Sequence, residues 1–297
     1  MPIFKGKSTK NSSGKWVNDK NIAMRIIVPI KQVPSSDDVQ LDPQTGTLIR
    51  QGVEAIVNPL DLYAIETALS IRDEHGGEII VISMGPAQAA EALREAISMG
   101  ADEAILLCDN AFAGSDTYAT AYVLSTAIKR IGQYDLIICG ERATDGETGQ
   151  VGPGIASFLN LPVITYVSKI DELIENQHRK GNHPGTIRVH RLIETGYEII
   201  EADLPAVLTV VKEIANPRLP TLAGKIRARN LQIPIWSASD LCIDKNQAGL
   251  TGSPTKVIKI HKPCIVRKSE KITVENEQSR QEAINRLISI LEDKLLL

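Results

Sequence analysis

From Met24 onward, short runs of Ile, Val and Leu alternate with stretches of helical periodicity, and this alternation leaves few folds open. A run too short for a helix and apolar throughout must be covered on both faces. The pattern therefore predicts parallel strands joined by crossover helices that layer over the sheet. Residues 24–30 read as the first strand. Asn58-Pro-Leu-Asp61 reads as a helix start, with Asn58 as cap and Pro59 at the first helical position, where its missing N–H costs nothing. That helix continues through Ala64, Ile65, Ala68, Leu69 and Ile71. Strands follow at 78–83, 104–107, 134–139 and 162–167, with helices at 87–99, 117–131 and 148–159 between them. Residues 186–192 and 197–202 alternate like antiparallel partners about a turn at Thr195-Gly196, and 206–211 returns to the buried pattern. The reading is one α/β domain over residues 24–215.

Pro217, Pro220, Pro234, Gly249, Gly252, Pro254 and Pro263 break up the remainder, residues 216–297, which is expected to run as an extended arm along something else. At its end Ser279-Arg-Gln-Glu282 has the form of a capping box, and Ile284, Leu287, Ile288, Leu291 and Leu295 form one apolar stripe at helical spacing. A terminal helix is expected there, docked on this chain or on a partner. Residues 1–23 carry Lys5, Lys7, Lys10, Lys15 and Lys20 against Asp19 and lack an apolar core, which is not a secretory signal. They read as a flexible leader or tag.

Charge excludes further classes. With 33 Lys+Arg against 36 Asp+Glu the formal net charge is -3, without the basic excess that a nucleic-acid-binding domain needs. The longest apolar runs, 78–84 and 135–139, are strand-sized, so no membrane span is expected. Cys108, Cys139, Cys242 and Cys264 stand far apart with no CxxC pair, which argues against zinc, an iron–sulfur cluster and a disulfide framework, and fits a reducing cytoplasm.

In an open parallel sheet, ligands bind beyond the carboxyl ends of the strands, where loops lead into helix N-termini. Three loops at such ends have unusual composition: 83–86, 114–117 and 140–153. The third sets Gly140, Gly146, Gly149 and Gly152 around Thr144, Asp145, Glu147, Thr148 and Gln150, so backbone N–H groups can approach a phosphate while side chains reach ribose or ring. A long surface loop punctuated by turn residues has the same composition. The Rossmann glycine signature is not met, and no Walker A sequence or serine nucleophile elbow occurs. His75, His178, His183, His190 and His261 are scattered, and Asp37-Asp38 reads as a solvated turn. A nucleotide loop without an evident acid, base or nucleophile suggests that a cofactor performs the chemistry.

At this point the chain resembles the β subunit of electron-transfer flavoproteins. The match rests on Ile30-Lys-Gln-Val-Pro34, Asn58-Pro-Leu-Asp61, Ile82-Ser-Met-Gly-Pro-Ala-Gln88, Ser98-Met-Gly-Ala-Asp102, the 140–153 loop, Asn216-Pro-Arg218, Lys225-Ile-Arg-Ala-Arg229 and Gly249-Leu-Thr-Gly-Ser-Pro-Thr255, all in the family's order. The resemblance implies an adenine nucleotide α-hydrolase-like (Rossmann-like) parallel-sheet α/β fold. It also implies an obligate α subunit that carries a flavin. By the same resemblance the nucleotide site is lined by Pro29, Asn58, Pro59, Leu60, Asp61, Met84 and the loop from Gly140 through Thr148. Within that loop, N–H groups near Gly146 to Gln150 would hold the pyrophosphate, and Asp145 would contact ribose or order the loop. Met84 with Gly85 would leave room for the nucleotide. Arg142 is the nearest cation in sequence, and Ala143, Glu147 and Val151 complete the set.

Respiratory members of that family keep AMP there, whereas electron-bifurcating members bind a second FAD. The run Asp145-Gly-Glu-Thr-Gly-Gln-Val-Gly-Pro153 is similar to the bifurcating pattern. Gly114-Ser-Asp-Thr-Tyr-Ala-Thr120 resembles bifurcating and nitrogen-fixation-type members, which adds Asp116, Thr117 and Thr120 as cofactor candidates, although the same residues would serve equally as a helix N-cap. The implied mechanism takes a hydride from NADH, with NAD as substrate, onto the FAD of this chain. One electron then goes to ferredoxin or flavodoxin and the other, through the α-subunit flavin, to a dehydrogenase of acyl-CoA or 2-hydroxy-acid type. Leu222, with Arg218 nearby, occupies the place of the family's dehydrogenase-gripping leucine, on a proline-flanked loop. An AMP-binding respiratory subunit and a non-redox nucleotide-binding protein of the same fold stand as alternatives.

Overall fold

The structure, a computed structural model, describes residues 24–35, 55–175, 185–258 and 270–293, together with the two-residue strands Thr9–Lys10, Trp16–Val17, Gln40–Leu41 and Leu48–Ile49. It divides into two units, residues 1–258 and 259–297. Asp37, Asp38, His178, His183, His261, Cys264 and Leu295 lie outside the described residues.

The first unit is built on one nine-stranded sheet. In chain order its strands are β1 (Arg25–Pro29), β2 (Glu78–Met84), β3 (Glu103–Leu107), β4 (Leu136–Gly140), β5 (Val163–Glu175), β6 (Gly185–Ile193), β7 (Gly196–Asp203), β8 (Ala206–Val210) and β9 (Ile235–Trp236). They lie side by side as β7-β6-β5-β8-β4-β1-β2-β3-β9, parallel from β5 to β9, with β6 and β7 antiparallel at one edge. The helices are α1 (Pro59–His75), α2 (Ala90–Met99), α3 (Thr117–Ile131), α4 (Val151–Leu159) and α5 (Leu222–Asn230).

The near-continuous apolar runs of the strands have the predicted cause. Ile26 and Val28 face one layer with Ile65, Leu69, Leu93 and Ile97 of α1 and α2, whereas Ile27, Ile80 and Ile82 face the other with Val123, Ile128 and Ile155 of α3 and α4. Small residues let the layers approach. A Cβ on Gly152 would lie 2.5 Å from Thr209 of β8, and one on Gly154 would lie 2.8 Å from Ala121 of α3, so α4 sits tightly between sheet and neighbouring helix.

Three differences from the sequence reading are instructive. Helix α4 starts at Val151 rather than near Thr148, because Gly149 adopts φ +62, which a helix cannot continue through. Strand β5 runs to Glu175, well past Val167, since beyond its parallel pairing with β8 it gains an antiparallel partner in β6. The segment after residue 215 is less extended than composition suggests. It contributes α5 and the edge strand β9, and Ala238, Leu241, Ile243 and Ala248 join the core on the α3/α4 face. Among the described residues no helix is long and apolar enough to cross a membrane.

In the second unit a helix, α6, spans Glu277–Asp293. Its cap is Asn276, whose side chain accepts from the Ser279 N–H at 2.8 Å. Ser279 lies inside the first turn, where its hydroxyl accepts the Asn276 N–H at 3.0 Å, so the capping box begins three residues earlier than expected. Ile284, Leu287 and Ile288 of the stripe are exposed.

Candidate functional site

The chain lays β2 and β3 on one side of β1 and then crosses to put β4 on the other. The carboxyl ends of β1 and β4 therefore flank a topological switch point, where doubly wound sheets open a crevice. Three segments meet there: the end of β1 with Lys31, the first turn of α1, and the loop after Gly140.

Asn58 joins two of them. It is buried and stands at the cap position of α1, with its carbonyl accepting from the Asp61 N–H at 2.9 Å. Its side chain does not cap the helix. The amide donates instead to the Arg142 carbonyl at 2.9 Å and accepts from the Thr144 N–H at 3.1 Å, pinning both sides of one loop turn. Pro59 removes one of the helix's unpaired N–H groups, and with the Asp61 N–H taken by the Asn58 carbonyl, the Leu60 N–H is left without a side-chain cap from Asn58.

Asp61 is nearly as buried, at 6% exposure. It accepts the Lys31 N–H at 2.7 Å, and a Cβ on Gly140 would lie 2.5 Å from its Oδ1, so this carboxyl occupies the space that a side chain at residue 140 would fill. Burial pushes the Asp61 carboxyl up to about 7 against hydrogen bonds from Asn58, Lys31 and Gly140 that favour its charge. Burial also pushes the neighbouring Cys139 thiol up, with Asp61 adding to the effect, so Cys139 stays protonated and is no nucleophile.

Beyond Gly140 the loop is held at both ends. Glu141 donates its N–H to Val210 at 3.1 Å, and Gly146 and Glu147 both donate to the Ala143 carbonyl. Glu147, at φ 50, and Gly149 take left-handed conformations that close the turn. Thr144, Asp145, Gly146, Glu147 and Thr148 are exposed along its rim. At the far end Gln150 accepts the Thr117 hydroxyl at 2.8 Å, tying α4 to α3, and Val151 opens α4. Arg142 is paired with its neighbour Glu141 at 3.2 Å.

The structure thus brings Pro29, Asn58, Pro59, Leu60, Asp61 and residues 140–148 together. Met84 and Gly85 end the adjacent strand β2, where the Gly85 N–H donates to Leu107. Asp116 is differently employed: it caps α3 through the Ala119 N–H at 3.0 Å, and its other oxygen accepts both the N–H and the hydroxyl of Thr255. Thr120 lies within α3. Lys31 did not stand out in the sequence, yet its ammonium sits 2.6 Å from Asp145, bridging β1 to the loop. The signal for it was position alone, two residues past Pro29.

Arg218 and Leu222 lie on the α1/α2 side. The Arg218 guanidinium and N–H grip Glu66 of α1 at 2.9 Å, and Asp73 at 2.9 Å, so its charge is used within the chain. Leu222 is the first residue of α5 rather than part of a loop; Thr221 caps the helix, and the leucine is 77% exposed. A Cβ on Gly224 would lie 2.1 Å from the Ser98 carbonyl, which is why α5 can lie directly on the end of α2.

An open, mostly parallel sheet with a glycine-rich crevice at its switch point defines a Rossmann-like α/β protein. Residues 45–241 match the electron transfer flavoprotein domain. The chain is 49% identical to the electron transfer flavoprotein subunit beta of Thermoanaerobacterium thermosaccharolyticum over 90% of its length and 98% of that protein's. It is 44% identical to the caffeyl-CoA reductase-Etf complex subunit CarD of Acetobacterium woodii (91% and 99%) and 43% identical to protein FixA of Azorhizobium caulinodans (84% and 88%). The chain belongs to the electron transfer flavoprotein β-subunit family. Members of this family are associated with flavin or AMP, and pair with an α subunit and with dehydrogenases.

Proposed function

We propose that the chain is the β subunit of an electron-bifurcating electron transfer flavoprotein, working in the cytoplasm with an FAD in the crevice between β1, β4 and α1. The observation that carries this reading is the loop 140–150. Asn58 fixes its shape and leaves Thr144 to Thr148 exposed on the rim. Gly140 lets β4 pack against Asp61 and Leu60 of α1, and Gly149, at φ +62, closes the turn that sets this rim. The relatives named as FixA and as part of a caffeyl-CoA reductase–Etf complex support the same reading.

In this reading residues 24–215 hold the cofactor. The N–H groups of Thr148 to Gln150 and of Leu60 in the first turn of α1 bind the phosphates, those of Gly146 and Glu147 being taken by the Ala143 carbonyl, and Asn58 holds the loop closed upon them. The flavin, when bound, would accept two electrons from NADH and release them singly, one to ferredoxin or flavodoxin and one toward the α-subunit flavin and an acyl-CoA or 2-hydroxy-acid dehydrogenase. In this reading the chain's own residues position and insulate.

The α5 segment, by contrast, faces partners. Leu222, and Leu219 at 85% exposure, project from the α5 region held by Arg218, and an apolar anchor of this kind is what a dehydrogenase surface would grip. Leu222→Ala should weaken coupling to the dehydrogenase roughly tenfold or more while leaving cofactor content unchanged. Unaltered steady-state coupling would remove the anchor role.

Acid extraction of the co-purified αβ complex should yield two FAD per pair, and Gly149→Val should lose one of them selectively. One FAD with one AMP would replace this reading by the AMP-binding respiratory one. A colourless chain with no α partner would point to a non-redox nucleotide-binding protein.

A further inference from the structure

The crevice carries a charge problem. On the segments that line it stand four carboxylates, Asp61, Glu141, Asp145 and Glu147, against two cations, Lys31 and Arg142. A phosphate group entering this surrounding needs a counter-ion, and the two cations are not equally available.

Arg142 is paired with Glu141, whose side chain is only 11% exposed. Withdrawing the guanidinium would leave a largely buried carboxylate without its partner, which is strongly unfavourable. Lys31 is the opposite case. Its pair with Asp145 is open, with side chains 49% and 31% exposed, and ion pairs so wet contribute little and exchange readily. Asp145 itself has solvent to return to. The Lys31 backbone, meanwhile, is anchored: its N–H is held by buried Asp61 at 2.7 Å, and its carbonyl accepts the Asn58 N–H at 2.8 Å. A fixed backbone with a loosely engaged ammonium, placed between the end of β1 and the loop rim, is the arrangement of a cation that changes partner.

We infer that Lys31 is the phosphate counter-ion of the crevice, and that Asp145 holds its ammonium in position until a nucleotide phosphate takes it over. The inference rests on the crevice being the nucleotide site, and it assigns the phosphate charge to a residue outside the glycine loop. Asp145 then acts as a placeholder for the ligand's own negative charge.

The test compares AMP with adenosine, which differ by the phosphate alone, by calorimetric titration of the αβ complex freed of bound nucleotide. Lys31→Met should weaken AMP binding roughly 10- to 100-fold and leave adenosine within about twofold of wild type. Lys31→Arg should restore most of the AMP affinity, and Asp145→Asn should raise the affinity for AMP relative to that for adenosine. If Lys31→Met weakens AMP and adenosine equally and Asp145→Asn does the same, the pair is only a loop latch and the inference fails. An unchanged AMP affinity in Lys31→Met overturns it too. A wild-type complex that binds AMP, adenosine and FAD not at all removes the nucleotide-site reading itself, a result distinct from either failure.

Discussion

Gly140→Ala should melt roughly 3–10 °C below wild type and emerge from purification of the αβ complex with its β-site nucleotide largely lost, whereas Gly146→Ala should match wild type in both. The contrast is geometric. A methyl at residue 140 would stand 2.5 Å from the Asp61 Oδ1 and 2.9 Å from the carbonyl carbon and oxygen of Leu60. Neither neighbour is a flexible side-chain tip. Asp61 is fixed by the Lys31 N–H, and Leu60 is backbone in the first turn of α1. Strand β4 and helix α1 must therefore separate, at about 1–3 kcal/mol for overpacking of this kind, which for a domain of this size corresponds to the stated melting shift. The same separation moves the Lys31 N–H and the Asn58 clasp, so the loop loses its shape along with the fold's stability. At Gly146 an added Cβ meets nothing within 4 Å, and the residue does not need a positive φ. Differential scanning calorimetry and nucleotide extraction check both variants. Gly140→Ala at wild-type stability with full nucleotide would show that α1 and β4 do not meet as described.

That contrast also marks how far the sequence could be read. All four glycines of the loop looked alike as letters, yet they do different work: Gly140 admits Asp61, Gly149 supplies a left-handed turn, Gly152 lets α4 approach β8, and Gly146 meets nothing. Periodicity placed β1, β2, α3 and the start of α1 within a residue or two, because burial on two faces dictates Ile and Val runs directly. Asn58 was legible as a helix cap by position, but its side chain serves a loop 84 residues away, a contact no local pattern encodes. Asp116 shows the converse. Its capping of α3 was legible, while its second bond to Thr255 depends on where the later arm passes. Arg218 was read from the resemblance as a partner-binding residue beside Leu222; its pairing with buried Glu66, 152 residues earlier, is a contact that no local pattern encodes.

The stability of Asp61→Asn relative to wild type should move in the variant's favour as pH rises from 5 to 8. Its carboxyl is raised from 3.8 to about 7 in the folded chain, mainly by burial. An acid whose folded pKa lies above its unfolded one binds its proton more tightly when folded, so between those two values folding takes up a proton and stability falls as pH rises. Below pH 4 both states are protonated and the group contributes nothing; above about pH 7 the folded chain carries the full cost of a buried charge. Asparagine stays neutral throughout and has no such slope. Most of the change lies between pH 5 and 7, where it amounts to roughly 2.5 kcal/mol, or roughly 5–10 °C in melting temperature. Any fixed penalty from replacing an oxygen by an NH₂ beside the Gly140 N–H shifts the curve without altering its slope. Melting curves of both proteins across that range decide the matter, and a difference that stays flat would mean that Asp61 is ionised in the fold at every pH tested. The same charge bears on the crevice. Above neutrality an ionised Asp61 would stand beneath the Lys31 backbone and oppose a phosphate anion, so the Lys31 ammonium matters most there, and the AMP affinity lost in Lys31→Met should be greater at pH 8 than at pH 6.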